Sequence, residues 1–226
     1  MSGMQEGRQG MEKAKMVVFG GAGRLGRHIV TEALRRGHTV TVATPDPVGI
    51  DTESPNVSAI AGDVTDPEAV MAAVAGHDVV VSAVGPSTRS GAGAQVVSDA
   101  ARGLLAALPQ AGVQRLVVLG ATGTLEVAPG LQLVDLPEFP AEYRPVATAH
   151  REALDLYRGE ASGLEWTVVT PPAVIESGPR TGRYRVGTDA PLGEDGGHIS
   201  AADLAGAVLD EIESPAYVRQ RFAVAH

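Results

Sequence analysis

A chain of 226 residues, 44% of them hydrophobic, is long enough to bury the core of one α/β domain. A formal charge of −9 argues against a nucleic-acid surface, and the absence of cysteine excludes disulfides and thiolate metal sites, which fits a reducing cytoplasm. No apolar run reaches the length of a bilayer span and no charged-then-apolar leader opens the chain, so neither a membrane nor a nucleic acid is expected as a partner.

Residues 1–15 are polar and without periodicity and read as a disordered leader, which leaves the domain to residues 16–226. Val17, Val18 and Phe19 then form an apolar run that meets three glycines at three-residue spacing, Gly20, Gly23 and Gly26. In a strand that turns into a helix over a pyrophosphate, one glycine permits the tight turn, one the approach of backbone to phosphate, and one the close packing of helix on sheet. The free N–H groups and positive dipole end of the new helix hold the anion, so Gly20, Gly23, Arg24, Leu25 and Gly26 are candidate cofactor contacts. Leu25, Ile29, Ala33 and Leu34 recur at helical spacing, and Gly37 closes the helix as a C-cap does.

Strand and helix signals go on alternating. His38–Thr44 and Val57–Ala61 read as strands, and Asp66 and Pro67 as N-cap and first residue of a helix to Ala75. Asp78–Val84 is a strand buried on both faces, as parallel sheets require. Pro86–Gly93 reads either as a flap over the site or as a simple exposed loop. A helix over Gly93–Ala111, a strand over Arg115–Leu119, a helix over Val146–Ala161 and a strand over Leu164–Thr170 follow. Gly178–Gly197 is long and glycine-rich; Ser200–Asp203 is a capping box opening a helix to Ile212, and Arg221–Val224 a last strand. The pattern predicts a doubly wound (Rossmann) α/β fold, a single domain with a parallel sheet and a small C-terminal segment on the substrate side. Its ligand belongs at the C-terminal strand tips.

The tip of the second strand, Ala43-Thr44-Pro45-Asp46, is neutral at its edge. Asp46 stands about 20 residues past the glycine loop, where a ribose carboxylate is expected, but beyond a proline, where it also suits a turn. Arg24 and the Thr44 hydroxyl suit a 2′-phosphate, so NADP(H) is favoured and NAD(H) stays compatible.

GGAGRLG (Gly20–Gly26), AGDVTD (Ala61–Asp66), VVVSAVG (Val79–Gly85), the run Gly163–Gly187 and HISAADLAGAVL (His198–Leu209) together resemble the atypical short-chain dehydrogenase/reductases. Within these the similarity is to the NmrA-like NAD(P)H-binding proteins and the biliverdin-IXβ/flavin reductases. The resemblance implies that Asp63 and Val64 line the adenine pocket and that Ala83, Val84 and Gly85 pass beside the riboses. It also implies that Pro171 and Pro172 fix the nicotinamide edge. Asp63 as a turn former and Ala83–Gly85 as a plain strand end are the alternatives. Thr122 stands where the reductases carry a serine near the nicotinamide, and Ala173 where they carry a histidine.

Most short-chain dehydrogenases protonate a carbonyl with a Tyr-x-x-x-Lys pair. Here the only lysines are Lys13 and Lys15, and Val146 and His150 occupy the positions of the pair. Thr122, His150 and Tyr143 are the candidate proton donors, with solvent as the alternative. His28, His38, His77, His198 and His226 show no ligand spacing, so no metal is expected. Arg180, Arg183 and Arg185 suit an anionic substrate or a solvated surface. The expected function is an NAD(P)H-dependent oxidoreductase passing hydride to a flavin, quinone or secondary-metabolite carbonyl. The alternative is an NmrA-like dinucleotide sensor without turnover. A small-molecule substrate is the expected partner, and homo-oligomer formation is left open.

Overall fold

The computed structural model describes residues 13–86, 93–161, 163–193 and 197–226. Its main sheet has eight strands. In chain order these are β1 (Lys15–Phe19), β2 (Thr39–Thr44), β3 (Val57–Ala61), β4 (Val79–Ser82) and β5 (Arg115–Leu119), then β8 (Glu165–Thr170), β10 (Arg185–Gly187) and β12 (Gln220–Ala225). Two small pairs stand outside it, the hairpin β6 (Glu126–Ala128) with β7 (Leu131–Gln132), and β9 (Val174–Glu176) alongside β11 (His198–Ser200). The helices are α1 (Gly26–Arg35), α2 (Pro67–Val74), α3 (Val96–Ala111), α4 (Arg144–Glu160) and α5 (Ala201–Glu213).

The spatial order β3-β2-β1-β4-β5-β8-β12-β10 is parallel throughout except that β10 runs against β12. Alternate residues of each central strand feed two cores. Val17, Phe19, Val80, Leu116, Val118 and Val168 pack under α2, α3 and α4. Met16, Val18, Val79, Val81, Val117 and Val169 pack under α1 and α5. Burial on both faces is why the strands read as continuous apolar runs. The order reverses between β1 and β4, and a crevice opens at such a switch point.

The boundaries differ from the sequence reading for identifiable reasons. Ala14 is buried and its N–H donates to His38 Nδ1 at 3.0 Å, so ordered chain precedes Met16 and β1 starts at Lys15; residues 1–12 of the expected leader lie outside the described residues. α4 starts at Arg144 rather than Val146, because Pro145 suits the first turn, where no N–H is required. α3 starts at Val96 rather than Gly93, and β4 stops at Ser82. Of the expected flap, residues 87–92 lie outside the described residues.

Only half of the expected capping box forms. Ser200 Oγ accepts the Asp203 N–H at 3.0 Å, but the Asp203 carboxylate turns to Thr181 and Gly182. β6, β7, β9, β10 and β11 span two or three residues each, too short to show a period in sequence.

Candidate functional site

The glycine loop joins β1 to α1 in the geometry its spacing predicts. Gly20 has φ +75°, and a Cβ there would lie 2.7 Å from the Ala83 oxygen, so only glycine seats this turn against β4. A Cβ on Gly26 would meet the Gly20 oxygen at 2.1 Å, which brings α1 hard against the turn. Gly23 is different: its nearest neighbour to a Cβ is the Gly20 oxygen at 3.1 Å, so its bareness keeps open space beside the loop.

α1 has no side-chain cap and no acidic residue in its first turn. The N–H groups of Arg24, Leu25 and Gly26 donate to no group among the described residues. A helix N-terminus with unpaired donors and no carboxylate of its own favours an anion.

In front of this loop lies a groove of about 190 Å³, lined by Phe19, Gly20, Gly23, Ala43, Thr44, Pro45, Gly62, Asp63, Val64, Ala83, Val84, Gly85 and Val96. It runs across the tips of β1, β2, β3 and β4, at the switch point. Eight sequence-derived candidates therefore meet in one cleft: Gly20, Gly23, Thr44, Asp63, Val64, Ala83, Val84 and Gly85. Phe19, Ala43, Pro45, Gly62 and Val96 also line it and were not singled out in sequence. The first four sit at strand tips or directly beyond them, so position was the available signal. Asp63 serves as a turn former as well as a wall, since its Oδ1 accepts from the Thr65 N–H at 2.9 Å and the Thr65 hydroxyl at 2.8 Å.

The remaining candidates stand elsewhere. Leu25 packs into the core between α1 and α5. Arg24 points away from Thr44: its Nη1 lies 3.5 Å from the Ile175 oxygen on β9, with β1, β4 and β5 between β2 and β8. Asp46 is the turn residue of the two readings, its Oδ1 accepting the Val48 N–H at 3.0 Å. It borders a second hollow of about 430 Å³ on the α1 side of β2, with Arg27 and Asp51. Pro171 and Pro172 are buried just past β8.

Thr122 opens a short 3-10 turn beyond the β5 tip, half-buried. A Cβ on Gly123 would lie 2.6 Å from the Ala147 Cβ, so this turn rests directly on α4. The fully buried Arg221 guanidinium clamps it from beneath by donating to the Thr124 oxygen and pairing with Asp189.

Neither other proton-donor candidate lines the groove. His150 has no hydrogen-bond partner among the described residues, and burial pushes its pKa down to about 4, so the ring is neutral near pH 7. Tyr143 precedes α4 with 47% of its surface exposed, an open position rather than a catalytic cleft. Lys15 opens β1, at the end of the sheet opposite the groove, and Lys13 lies under Gly37. Two of the three loop arginines are engaged within the protein: Arg180 Nε meets Glu32 at 2.9 Å and Arg185 Nε the His226 main-chain oxygen at 3.1 Å.

Comparison with known proteins bears on this groove. A family model described as NAD(P)H-binding matches residues 20–215, from the first loop glycine to beyond α5. The chain belongs to this NAD(P)H-binding family. The Bacillus subtilis protein YwnB is 35% identical over 216 residues, covering 93% of this chain and 97% of its own. A Burkholderia pseudomallei structure, described as an exported protein, is 42% identical with a TM-score of 0.83, over 94% of this chain and 100% of that one. A Streptococcus pneumoniae structure, named for NADH-flavin reductase activity, is 29% identical with a TM-score of 0.79, over 94% and 99% of the two chains. Members of this NAD(P)H-binding family take a nicotinamide dinucleotide, and the free loop donors and apolar groove of this chain fit one. Among the described residues no helix is long and apolar enough to cross a membrane.

Proposed function

We propose that this chain is an NAD(P)H-dependent reductase of the atypical short-chain dehydrogenase type, reducing a flavin, a quinone or a secondary-metabolite carbonyl in the cytoplasm. The observation that carries the reading is the row of unpaired N–H groups at Arg24, Leu25 and Gly26, opening beside a groove at the sheet's switch point. The Arg24, Leu25 and Gly26 N–H groups would hold the bridging phosphates. Val64 and Val84 would flank the adenosine, and the Asp63 carboxylate would accept from the adenine amino group. The neutral Thr44–Pro45 tip admits a 2′-phosphate, so NADP(H) is the proposed cofactor, and nothing charged at that tip bars NAD(H).

When bound, the dihydronicotinamide supplies a hydride. The work left to the protein is to orient the acceptor over the ring and exclude competing water. With both lysines at the opposite end of the sheet, the reaction proceeds without a Tyr-x-x-x-Lys acid. The kinship with a protein named for flavin reduction supports an acceptor that stabilises its own charge.

The test is a panel of flavins, quinones and aromatic ketones with NADPH and NADH, alongside cofactor titration by quenching of Trp166. Tight binding with consumption by at least one acceptor is expected. Tight binding with no consumption by any of them returns the chain to a dinucleotide sensor.

A further inference from the structure

A second cluster of titratable side chains stands along the same edge of the sheet as the groove. Asp203, in the first turn of α5, is fully buried. Its carboxylate accepts the Thr181 N–H at 2.9 Å, the Gly182 N–H at 2.7 Å, the Thr181 hydroxyl at 2.6 Å and, from His226, the Nε2 proton at 2.9 Å. Burial alone would raise its pKa; the bonds from Thr181, Gly182 and His226 override that and bring it to about 2, so it is ionised at neutral pH. A carboxylate only accepts, so Nε2 is the protonated nitrogen of His226 and Nδ1 is left for another partner.

The surroundings fix where this pair sits. β12 lies parallel to β8 with Ala223 opposite Thr170, so His226 leaves the sheet at the edge where Pro171 does. The His226 N–H donates to the His198 oxygen at 2.8 Å, and the two rings meet edge to face with centroids 5.3 Å apart. His198 is paired with Val174 of β9, the strand that continues from Pro171–Pro172, and the glycine-loop Arg24 touches the next residue, Ile175. The His226 side chain is 22% exposed: held on one side, open on the other.

We propose that Asp203 and His226 form the proton-delivering pair of the reduction, with His226 as the donor to the acceptor and Asp203 as its positioning residue. This rests on the reductase reading. As the acceptor gains its hydride, negative charge develops on an oxygen or ring nitrogen. Water at the ring's open side supplies a proton to Nδ1, that Nδ1–H bond breaks as the acceptor's O–H or N–H bond forms, and the ring returns to the Nε2–H form that Asp203 holds. A carboxylate behind an imidazole holds its tautomer and stabilises its charged form, the logic by which such pairs work as acids. Among the described residues the Asp203 carboxylate of α5 meets the ring at Nε2 and the His198 ring of β11 meets it edge to face, while Arg185 of β10 reaches the His226 main-chain oxygen. Glu176 of β9 stands 3.7 Å from the His198 ring.

Two measurements on the whole protein decide this. In the first, 15N NMR of the imidazoles without acceptor is expected to show His226 protonated at Nε2 in the wild type, and a loss of that preference in Asp203→Asn. Identical tautomers in both overturn the pairing. In the second, His226→Gln, which leaves the Thr181 and Gly182 bonds intact, is expected to lose turnover about a hundredfold at pH 7. It should bind NADPH normally. An active wild type matched by His226→Gln in rate overturns the assignment alone. A wild type that consumes no NAD(P)H with any acceptor overturns the reductase reading and this assignment with it.

Discussion

Arg24 Nη1 and the Ile175 main-chain oxygen lie 3.5 Å apart, which ties the glycine loop to the strand that follows Pro171–Pro172. A guanidinium in that position is turned from the β2 tip, where a 2′-phosphate would sit.

The expected consequence for Arg24→Ala is weaker binding of NADPH and NADH by similar factors, about three- to tenfold, as befits an exposed charge near a phosphate. Fluorescence titration with both cofactors checks it. A loss confined to NADPH would return Arg24 to the 2′-phosphate and reinstate the selectivity that its place in the sequence suggests.

The three loop glycines should separate when each is replaced by alanine. Gly26→Ala forces a methyl to 2.1 Å from the Gly20 oxygen, backbone against backbone, and should destabilise the fold by about 1–3 kcal/mol. Gly23→Ala meets only the Gly20 oxygen at 3.1 Å, so its fold should stand while the space for a phosphate shrinks. Urea unfolding and NADPH titration on both variants make the comparison. Intact affinity in a Gly23 variant with a bulky side chain would remove the loop from the phosphate site.

Much of this was legible in the sequence where local chemistry decides. β3 and β5 fall on their predicted bounds, and Asp66 caps α2, its Oδ1 accepting the Glu68 N–H at 3.0 Å. Gly20, Gly23 and Thr44 were recognisable from loop spacing and a strand tip, marks that do not depend on distant partners, whereas Asp63, Val64, Ala83, Val84 and Gly85 followed from the family resemblance. What was not legible depends on side-chain direction or long-range pairing. The swing of Arg24 toward β9 follows from β9 itself, a strand of three residues held in place by β11. His198 and His226 show no spacing because they meet only through β11 and β12, and Asp203 looked like a capping residue until the Thr181–Gly182 turn claimed its carboxylate.

His150 carries a prediction about stability rather than catalysis. Its folded pKa of about 4 lies below the ordinary 6.5, so the fold favours the neutral ring. That contribution is complete above pH 6.5 and is lost as pH falls toward 4, because protonation then proceeds in the unfolded chain before the folded one. The ring is not wholly enclosed, so the loss is of the order of 1–3 kcal/mol. Asp203, depressed to about 2, sheds its own contribution only at lower pH, between its ordinary 3.8 and that value, which keeps the two windows apart. Urea midpoints between pH 7 and pH 4.5 should therefore fall more steeply for the wild type than for His150→Gln, which cannot take up a proton. Parallel curves for the two proteins would mean that the ring titrates as it does in water. If His150 is no acid, turnover in the same variant should stay within about twofold of the wild type at pH 7.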